Sequence, residues 1–414
     1  MRKFRKLSDV VDWGMCLGCG ACAYACPEKA VQLRNIEEIG IRPHIDNAKC
    51  TGCEECLAVC PAVGLDGSAG ASRPGIIKEV FPMFGPILEI WEGHAGDPEI
   101  RYKGSSGGAL TALSLHALED QGFHGVLQVG QDPKDPILNT TRLSKTRSDL
   151  LACVGSRYSP ASVCDSLHLV EEAPGPCVIV GQPSEIGALS KVLPRYKQLN
   201  NRVGLTLSFF CAGSPATSGT TKMLARFNVE RSGLQYTRYR GHGWPGYFST
   251  QAKGSEKVIE HMAYGDAWAF IQRDRPISTH LFPDSSGEFA DISCGDPWYR
   301  PVQPGEHGSS LIVVRTERGR AFLKEAINRG HLVAKPATVD QLIKSQGLLA
   351  RKRGEVWGRI LAFKLFGVPT PVYQGYCLFK NFLALGFAEK SRSLVGTVKR
   401  IVARKYYKRR PISR

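Results

Sequence analysis

The chain has 414 residues, of which 43% are hydrophobic and 22% charged, so it can bury substantial cores and is not disordered throughout. Its length is typical of roughly two to four domains. No apolar run reaches the roughly 18 residues that a membrane-spanning helix needs. The basic first residues are not followed by the apolar segment of a signal peptide. We therefore expect a cytoplasmic protein.

The net charge of +16 is concentrated at one end of the sequence. Residues 351–414 contain 16 Lys and Arg against Glu355 and Glu389, a net charge of +14, which leaves +2 for the other 350 residues. A folded domain that binds nucleic acid carries its positive charge on the domain itself. This distribution therefore excludes a nucleic-acid-binding core and predicts a basic C-terminal tail.

Eight of the 14 cysteines lie in the first sixty residues, in two runs of identical spacing. Each run reads Cys-x2-Cys-x2-Cys-x3-Cys-Pro, and its cysteines are Cys16, Cys19, Cys22 and Cys26 in the first run and Cys50, Cys53, Cys56 and Cys60 in the second. The spacing is typical of bacterial two-cluster ferredoxins, in which the fourth cysteine of each run binds the cluster of the other run.

The predicted ligand sets are therefore interleaved. One [4Fe-4S] cluster is assigned to Cys16, Cys19, Cys22 and Cys60, and the other to Cys50, Cys53, Cys56 and Cys26. Structural zinc sites usually show two C-x-x-C pairs with a long spacer, and a disulfide framework requires secretion, so both alternatives are disfavoured. With short strands predicted at 30–33 and 41–44, residues 1–75 form a bacterial-type 2[4Fe-4S] ferredoxin module that ends in a Gly- and Ser-rich linker at 64–75.

Beyond this linker, apolar runs of strand length alternate with segments of helical periodicity, which predicts an α/β body. Buried strands are predicted at 126–129, 177–180, 205–209 and 311–314. Helices are predicted at 109–118, 185–193, 218–227 and 319–328. We divide the body into regions 76–170 and 171–350, followed by the basic helical tail at 351–414.

Three loops of the body lie where ligands often bind. The Gly- and Ser-rich stretch 103–108 opens a predicted helix, so its backbone N–H groups could hold a phosphate, or it is a plain helix start. Residues 180–185 connect a strand to a helix at the position where α/β sheets bind ligands. Residues 290–298 read as a strand that enters a tight turn, and turn formation alone could explain their Asp and Gly.

Short motifs that follow the ferredoxin module resemble the coenzyme F420 hydrogenase/dehydrogenase beta-subunit family, over about residues 1–335. They are SSGG (105–108), GSRY (155–158), VGQP (180–183), FCAG (210–213), RGHGWPG (240–246) and ADISCGDPW (290–298). The resemblance implies FAD in the body and electron transfer between that flavin and the clusters. Relatives reduce a deazaflavin such as coenzyme F420, a chlorophyll intermediate or other unsaturated substrates, and some are associated with polysaccharide biosynthesis.

The family motifs also imply flavin contacts. Ser106, Gly107 and Gly108 are predicted to contact the FAD pyrophosphate or the flavin edge. Arg157 is predicted to pair with a phosphate or with negative charge on the reduced ring.

Tyr158, His242 and Trp244 are predicted to stack on the flavin ring. The alternative is that the aromatic residues belong to the core and that His242 lies in an exposed loop. His242, Tyr158 and Asp291 are the candidate proton donors to a substrate.

Two departures from the family pattern bear on a further cluster. The family commonly has a cysteine after the G-x-P turn, where this chain has Ser184, and a C-x-x-C pair in the region where it has residues 280–284 without cysteine. If those thiolates hold an additional cluster in relatives, this chain has lost it. The remaining body cysteines are predicted to be small buried hydrophobic residues, and Cys211 and Cys294 stay active-site candidates because they lie inside family motifs.

Two functions are compatible with these motifs. The first is an FAD- and iron–sulfur-dependent oxidoreductase with its own small-molecule redox substrate and an external one-electron donor or acceptor, such as a ferredoxin or partner subunit. The second is a non-catalytic electron-transfer subunit of a larger complex. The tail interleaves basic and apolar residues, so we favour peripheral binding to an anionic membrane or docking on an acidic partner over simple packing on the body.

Overall fold

The computed structural model describes residues 3–303 and 305–412. Its ferredoxin module comprises α1 (Leu7–Asp12), α2 (Ala21–Tyr24), β1 (Val31–Ile36), β2 (Gly40–Ile45), α3 (Glu55–Ala58) and β3 (Gly64–Asp66). The strands β1 and β2 form an antiparallel hairpin, so both predicted strands are confirmed. The helices α2 and α3 are equivalent, because each follows a left-handed residue and carries the third cysteine of its run.

The body follows the module as an alternation of strands and helices. Its elements are α4 (Phe81–Phe84), β4 (Glu89–Ala95), α5 (Pro98–Lys103), α6 (Ala109–Glu119), β5 (Gly125–Gln131), β6 (Asn139–Ser144), α7 (Arg147–Leu151), α8 (His168–Glu171), β7 (Cys177–Gly181), α9 (Pro183–Val192), α10 (Lys197–Arg202), β8 (Val203–Phe209), α11 (Thr217–Arg226), β9 (Leu234–Arg238), β10 (Tyr247–Ala252), β11 (Val258–Ala263), α12 (Tyr264–Ile271), α13 (Ile277–Leu281), β12 (Ile292–Gly295), β13 (Ser310–Val314), α14 (Glu317–Asn328) and β14 (Leu332–Pro336). Every strand and helix predicted for the body is among them.

A mixed eight-stranded sheet forms the centre of the body, with the strand order β14-β4-β13-β12-β8-β7-β5-β6. The middle strands β12, β8, β7 and β5 run parallel, and antiparallel strands flank them. Every residue of β13 is buried, as expected for a strand covered on both faces. Strands from both sides of the boundary predicted at residue 170 pair in this sheet, so regions 76–170 and 171–350 share it. Their division stays a prediction.

Different elements pack on the two faces of the sheet. Neighbouring residues of a strand point to opposite faces, and Val178 and Ile179 of β7 accordingly belong to different cores. Helices α6 and α14 pack on the face of Val178. On the face of Ile179, Leu189 of α9 packs together with Tyr24 and Val59 of the ferredoxin module. The module is therefore part of the cover of the sheet.

A smaller antiparallel sheet with the order β11-β10-β9 lies beside the main one. Phe248 of β10 packs with Met223 and Leu224 of α11 and with Ala267 of α12 in a separate core. This unit supports the 240–246 loop, which connects β9 to β10.

The C-terminal segment is integrated into the fold. It forms α15 (Val339–Leu365), β15 (Val372–Gln374), α16 (Leu378–Ala384) and α17 (Phe387–Ala403). Val356 and Phe363 of α15 and Ile401 of α17 share a core with Val10 and Cys60 of the ferredoxin module. Strand β15 pairs with β3 inside the predicted linker. Part of the predicted linker and part of the basic helical tail therefore pack into the fold, where apolar residues of the tail share a core with the module.

No helix in the described part of the chain is both long and apolar enough to span a bilayer.

Charged side chains of α15 point into the protein. Arg353 is 1% exposed and forms an ion pair with Glu288, which is 4% exposed. Its Nε also donates to the backbone oxygen of Tyr376 at 2.9 Å. Removing one partner of a buried ion pair leaves an uncompensated charge and typically costs about 3–5 kcal/mol.

We therefore predict that Arg353→Met lowers the free energy of unfolding by about 3–5 kcal/mol. The matched control is Arg351→Met on the same helix, where the side chain is 40% exposed and pairs with Glu389 at 3.4 Å. Loss of such an exposed pair costs about 0–1 kcal/mol. Urea denaturation of both variants measures the difference. Equal midpoints for the two variants would contradict the structural role of Arg353.

Candidate functional site

The eight cysteines of the ferredoxin module form two groups that differ in depth. Cys16, Cys19, Cys22 and Cys60 are buried, whereas Cys26 and Cys56 are half-buried and Cys50 and Cys53 are exposed. The buried group combines three cysteines of the first run with the fourth of the second run. This grouping coincides with the predicted ligand sets, although the roles of the individual cysteines as ligands stay a prediction.

Burial disfavours the thiolate form of these cysteines. It raises the pKa of Cys60 to about 12, with Cys16 as the next cause, and the pKa of Cys56 to about 11, with Cys53 as the next cause. Thiols that are close together and hard to ionise become good ligands once a metal supplies positive charge, because the metal stabilises the thiolates. The donor set therefore fits iron–sulfur clusters.

Backbone N–H groups also point at this sulfur set. Gly18 donates to Cys16 Sγ at 3.4 Å, and Ala30 donates to Cys26 Sγ at 3.2 Å. Hydrogen bonds to cluster sulfur are among the factors that set the reduction potential. The local turns of the two runs thus supply both the ligands and their polar neighbours.

The buried cysteine group faces the body. The N–H of Cys164 donates to the backbone oxygen of Cys19 at 3.0 Å, and Lys191 Nζ of α9 donates to the backbone oxygen of Cys60 at 2.8 Å. Tyr24, two residues after Cys22, donates to Glu171 of α8 at 2.9 Å. These contacts hold the module in one position against the body.

The loops that carry the predicted flavin contacts meet at one place in the body. Gly243 N donates to the backbone oxygen of Tyr102 at 3.0 Å, and Ser156 N donates to Ser105 Oγ. Ser106 Oγ donates to the backbone oxygen of Ser309 at 2.5 Å. The 305–309 loop, which meets these motifs, carries no distinctive motif of its own and was not among the predicted site segments.

Backbone packing accounts for both predicted glycines. A Cβ on Gly107 would lie 2.8 Å from the backbone oxygen of Gly93, and one on Gly108, where φ is +74°, would lie 2.7 Å from that of Ile100. Both positions therefore require glycine for the fold. Their contact with FAD stays a prediction.

All three guanidinium nitrogens of Arg157 donate hydrogen bonds to other groups of the protein. Its Nε donates to Asn139 Oδ1 at 2.6 Å, and its other two nitrogens donate to the backbone oxygens of Thr237, Pro136 and Leu138. A phosphate would have to replace these bonds. The contacts favour a structural role in joining β6 to β9 over the predicted phosphate role.

The predicted stacking residue Trp244 lies in a buried cluster with residues that sequence analysis did not single out. Its ring stacks on Trp298 at a centroid distance of 5.1 Å, and its Nε1 donates to Asp296 at 3.1 Å. Arg240 forms a bidentate ion pair with Asp296, with N–O distances of 2.9 and 2.6 Å. Its guanidinium carbon also lies 4.2 Å from the centre of the Tyr264 ring. Position inside the quoted motifs was the only sequence signal for Arg240, Asp296 and Trp298.

The remaining predicted residues differ in their surroundings. Tyr158 contacts the rings of Tyr239, Tyr264 and Trp268, as a core aromatic residue does. His242 is half-buried and 5.4 Å from the Tyr102 ring. Burial, followed by the charges of Arg238 and Lys103, lowers the pKa of His242 to about 4, so its ring is neutral at pH 7.

Asp291, a candidate proton donor, is buried, and its carboxylate is fully engaged. Its Oδ2 accepts hydrogen bonds from Thr206 N and Oγ1, both at 2.8 Å, and from Arg318 at 2.7 Å. Its Oδ1 accepts one from Thr316 Oγ1 at 2.5 Å. These contacts hold β8 and α14 together and favour a structural role.

A cavity lies between the ferredoxin module and the body. The module contributes Gly18 and Arg42 to it, and the body contributes Ser184 and Cys211, with Lys352 from α15. Two positions at which the chain departs from the family pattern, Ser184 and the 280–284 segment, thus meet in one place.

Comparison with known proteins places these features in a family. The model of a 4Fe-4S dicluster domain matches residues 9–65. The models of the N-terminal and C-terminal parts of the coenzyme F420 hydrogenase/dehydrogenase beta subunit match residues 90–168 and 176–340. The chain belongs to the coenzyme F420 hydrogenase/dehydrogenase beta-subunit family. The resemblance inferred from the motifs is confirmed.

Individual relatives are distant but extensive. The chain is 24% identical to the coenzyme F420 hydrogenase beta subunit of Methanococcus voltae, over 70% of this chain and 99% of that protein. It is 23% identical to the coenzyme F420-dependent sulfite reductase of Methanocaldococcus jannaschii, over 78% of this chain and 48% of that protein. A chain in the F420-reducing [NiFe] hydrogenase complex of Methanosarcina barkeri has a similar fold, with a TM-score of 0.55 and 21% identity, over 70% of this chain and 97% of that one.

We predict that Cys19→Ser reduces the iron content of the anaerobically prepared protein from about eight to about four atoms per chain, because it removes one ligand of one four-iron cluster. Cys177→Ser is the control, since Cys177 is also buried but lies outside both runs. Iron analysis and visible absorption measure the loss. An unchanged iron content in Cys19→Ser would show that the ligand assignment is wrong.

Proposed function

We propose that the protein is an iron–sulfur flavoprotein oxidoreductase that passes electrons between an external one-electron partner and FAD in the body. The observation that carries the proposal is the difference in depth between the two cysteine groups. Cys50 and Cys53 are exposed, where a ferredoxin or partner subunit can approach, whereas Cys16 and Cys19 are buried against the body. Electrons would therefore pass between the surface and the body through both groups.

The loops that carry the predicted flavin contacts leave open space at two of their glycines. A Cβ on Gly243 would meet no described atom within 4 Å, and the nearest atom to one on Gly155 is Ser105 Oγ at 3.8 Å. Lys103 and Arg238 lie near His242. Each already has a carboxylate partner, Glu99 at 2.7 Å for Lys103 and Glu260 at 3.1 Å for Arg238, so a phosphate would have to share these cations with them. FAD would supply two-electron exchange with a substrate and one-electron exchange with the clusters.

In this proposal the chain positions the cofactor and the substrate. Gly107 and Gly108 hold the SSGG loop against β4 and α5, and the Arg240–Asp296 pair fixes the rings of Trp244 and Trp298. The neutral ring of His242 can donate or accept one hydrogen bond at pH 7. The names of the relatives favour a deazaflavin such as coenzyme F420, or another unsaturated molecule, as the substrate.

The alternative is a non-catalytic electron-transfer subunit of a larger complex. The contacts of Arg157 and Trp244 favour it, because protein groups already use the polar atoms that FAD would need. The two functions differ in flavin content and in the ability to reduce a substrate without other subunits. Anaerobic flavin analysis, followed by oxidation of the reduced protein with coenzyme F420, separates them.

We predict one FAD per chain, retained in Cys19→Ser, and weaker FAD binding in His242→Asn. Asparagine tolerates the left-handed backbone at this position, where φ is +58°. Loss of one ring contact worth about 0.5–1.5 kcal/mol lowers the affinity about two- to tenfold. Quenching of flavin fluorescence measures this, with His124→Asn as control. A folded wild-type protein without flavin would favour the non-catalytic electron-transfer function instead.

We also propose that the C-terminal helices bind an anionic membrane surface peripherally. Although part of this segment packs inward, Phe379, Leu383 and Phe387 remain 52%, 56% and 89% exposed. Trp357 packs against Phe379 and Phe382, which fixes α16 in place. Exposed apolar side chains on basic helices suit the headgroup region of a bilayer.

Phe387→Ser is predicted to weaken binding to anionic vesicles at low salt by about tenfold or more, because an inserted aromatic side chain contributes about 1.5–3 kcal/mol. Val333→Ser is the control, as Val333 is 56% exposed on β14. Co-sedimentation with anionic and neutral vesicles provides the measurement. If the wild-type protein does not sediment with anionic vesicles, a protein partner is the remaining occupant of this surface.

A further inference from the structure

The cavity between the ferredoxin module and the body is small and mainly apolar, with a few polar and charged side chains in its lining. Its volume is about 40 Å³, which accommodates roughly three water-sized groups. Leu17 and Gly18, which lie between Cys16 and Cys19, form one wall, so its contents lie next to the buried cysteine group. Residues after β7 and β8, residues of α13 and Lys352 of α15 also line it.

One lining group lacks a partner. Ser278 is 3% exposed, and its Oγ has no hydrogen-bond partner in the described part of the chain. An unpartnered buried hydroxyl costs free energy, and a bound ligand would relieve that cost. Ser184, which is 7% exposed, adds a second hydroxyl to the lining.

Two buried cations also line the cavity. Lys352 Nζ donates to the backbone oxygen of Ala212 at 3.0 Å and to Ser285 Oγ at 2.9 Å, which leaves one of its three N–H bonds for a ligand. Arg42 is 4% exposed, and its NH1 donates to the backbone oxygen of Ile41. Positive charge and hydroxyl donors together favour an oxyanion.

The acidic group at the cavity does not occupy these donors. Both oxygens of Asp284 accept hydrogen bonds from backbone N–H groups, namely those of Ser286, Gly287 and Glu288, each at 2.9 Å. The lining also does not suit an iron–sulfur cluster. A four-iron cluster is held by about four cysteine thiolates, whereas Cys211 is the one cysteine among the described lining residues.

We propose that this cavity binds a small oxyanion of about three heavy atoms, held by Lys352, Arg42 and the hydroxyls of Ser184 and Ser278. The site is separate from the flavin loops. Because the anion would lie beside the buried cysteines, its negative charge disfavours reduction of a cluster bound there. By reciprocity, reduction of that cluster weakens anion binding.

Calorimetric titration of formate into the full-length, anaerobically prepared protein tests the site. Formate has three heavy atoms, and phosphate is the larger comparison anion. We expect saturable binding of one formate per chain and weaker binding of phosphate. Absence of saturable formate binding would overturn the proposal.

Variants locate the bound formate. Lys352→Met is expected to weaken binding at least tenfold, the loss of one hydrogen bond to a charged group, whereas Lys344→Met, exposed on the same helix, leaves it unchanged. Ser278→Ala removes the unpartnered hydroxyl, so it should weaken formate binding without lowering the thermal midpoint. The Ser278→Ala variant therefore still tests the site if Lys352→Met does not fold. Unchanged affinity in Ser278→Ala, or equal losses in both lysine variants, would overturn the assignment.

The pH dependence gives a further check. Burial, followed by the charge of Arg275, lowers the pKa of Lys352 to about 7, so affinity for formate should be highest below pH 7 and fall as pH rises through 7. The other charged or titratable groups near Lys352 are Arg42, Arg359, Cys211, Asp284 and His280. Affinity that stays constant from pH 6 to pH 8 would contradict the role of the lysine.

A redox titration tests the position of the anion and rests on the proposed iron–sulfur function, whereas calorimetry does not. Formate is expected to lower the reduction potential of the buried cluster in the wild-type protein, and at least tenfold more formate is expected to be needed for the same shift in Lys352→Met. An unchanged potential with formate bound would place the anion elsewhere and overturn the proposal.

Discussion

Burial of one cysteine group is the constraint on which the rest of the structure depends. Its four members belong to three different cores: Cys19 packs with the sheet and α9, Cys16 and Cys60 pack with the C-terminal helices, and Cys22 packs with α1 and β1. No single element could bury all four. The module, the body and the C-terminal segment therefore have to fold around the same point, which explains why β15, near the end of the chain, pairs with β3 at the end of the module.

This constraint also determines where the basic residues of the C-terminal segment go. A net charge of +14 predicts a solvated surface when it is counted along the sequence. Helix α15, however, lies between the module and the body, so Lys352, Arg353 and Glu355 are each less than 9% exposed. Their partners come from other parts of the chain, as Glu288 does for Arg353. Charge counted by segment could not reveal this, because the pairing depends on contacts between residues far apart in sequence.

Sequence patterns predicted the features that depend on local spacing. Cysteine spacing indicated the dicluster module, and hydrophobic periodicity located the strands and helices of the body, since both signals lie within short windows. The partners of individual polar and aromatic side chains, by contrast, lie far away in the sequence. Arg157 and Trp244 have the residue types that a flavin site needs, yet their partners Thr237 and Asp296 lie 80 and 52 positions away. The motifs indicated which loops meet, and only the fold shows which of their side chains the protein itself already uses.

Two side chains in the cavity between the module and the body bear on its electrostatics. Ser184 stands at a position where the family commonly has cysteine, and Lys352 brings positive charge from α15 into the lining of the same cavity. Ser184 and Lys352 thus line the same cavity as Leu17 and Gly18, which lie between Cys16 and Cys19. Positive charge close to an iron–sulfur cluster stabilises its reduced, more negative state, and it does so strongly where water is excluded. In the proposed function, the positive charge of Lys352 would favour an extra electron on the buried cluster, so α15 would contribute to electron transfer as well as to stability.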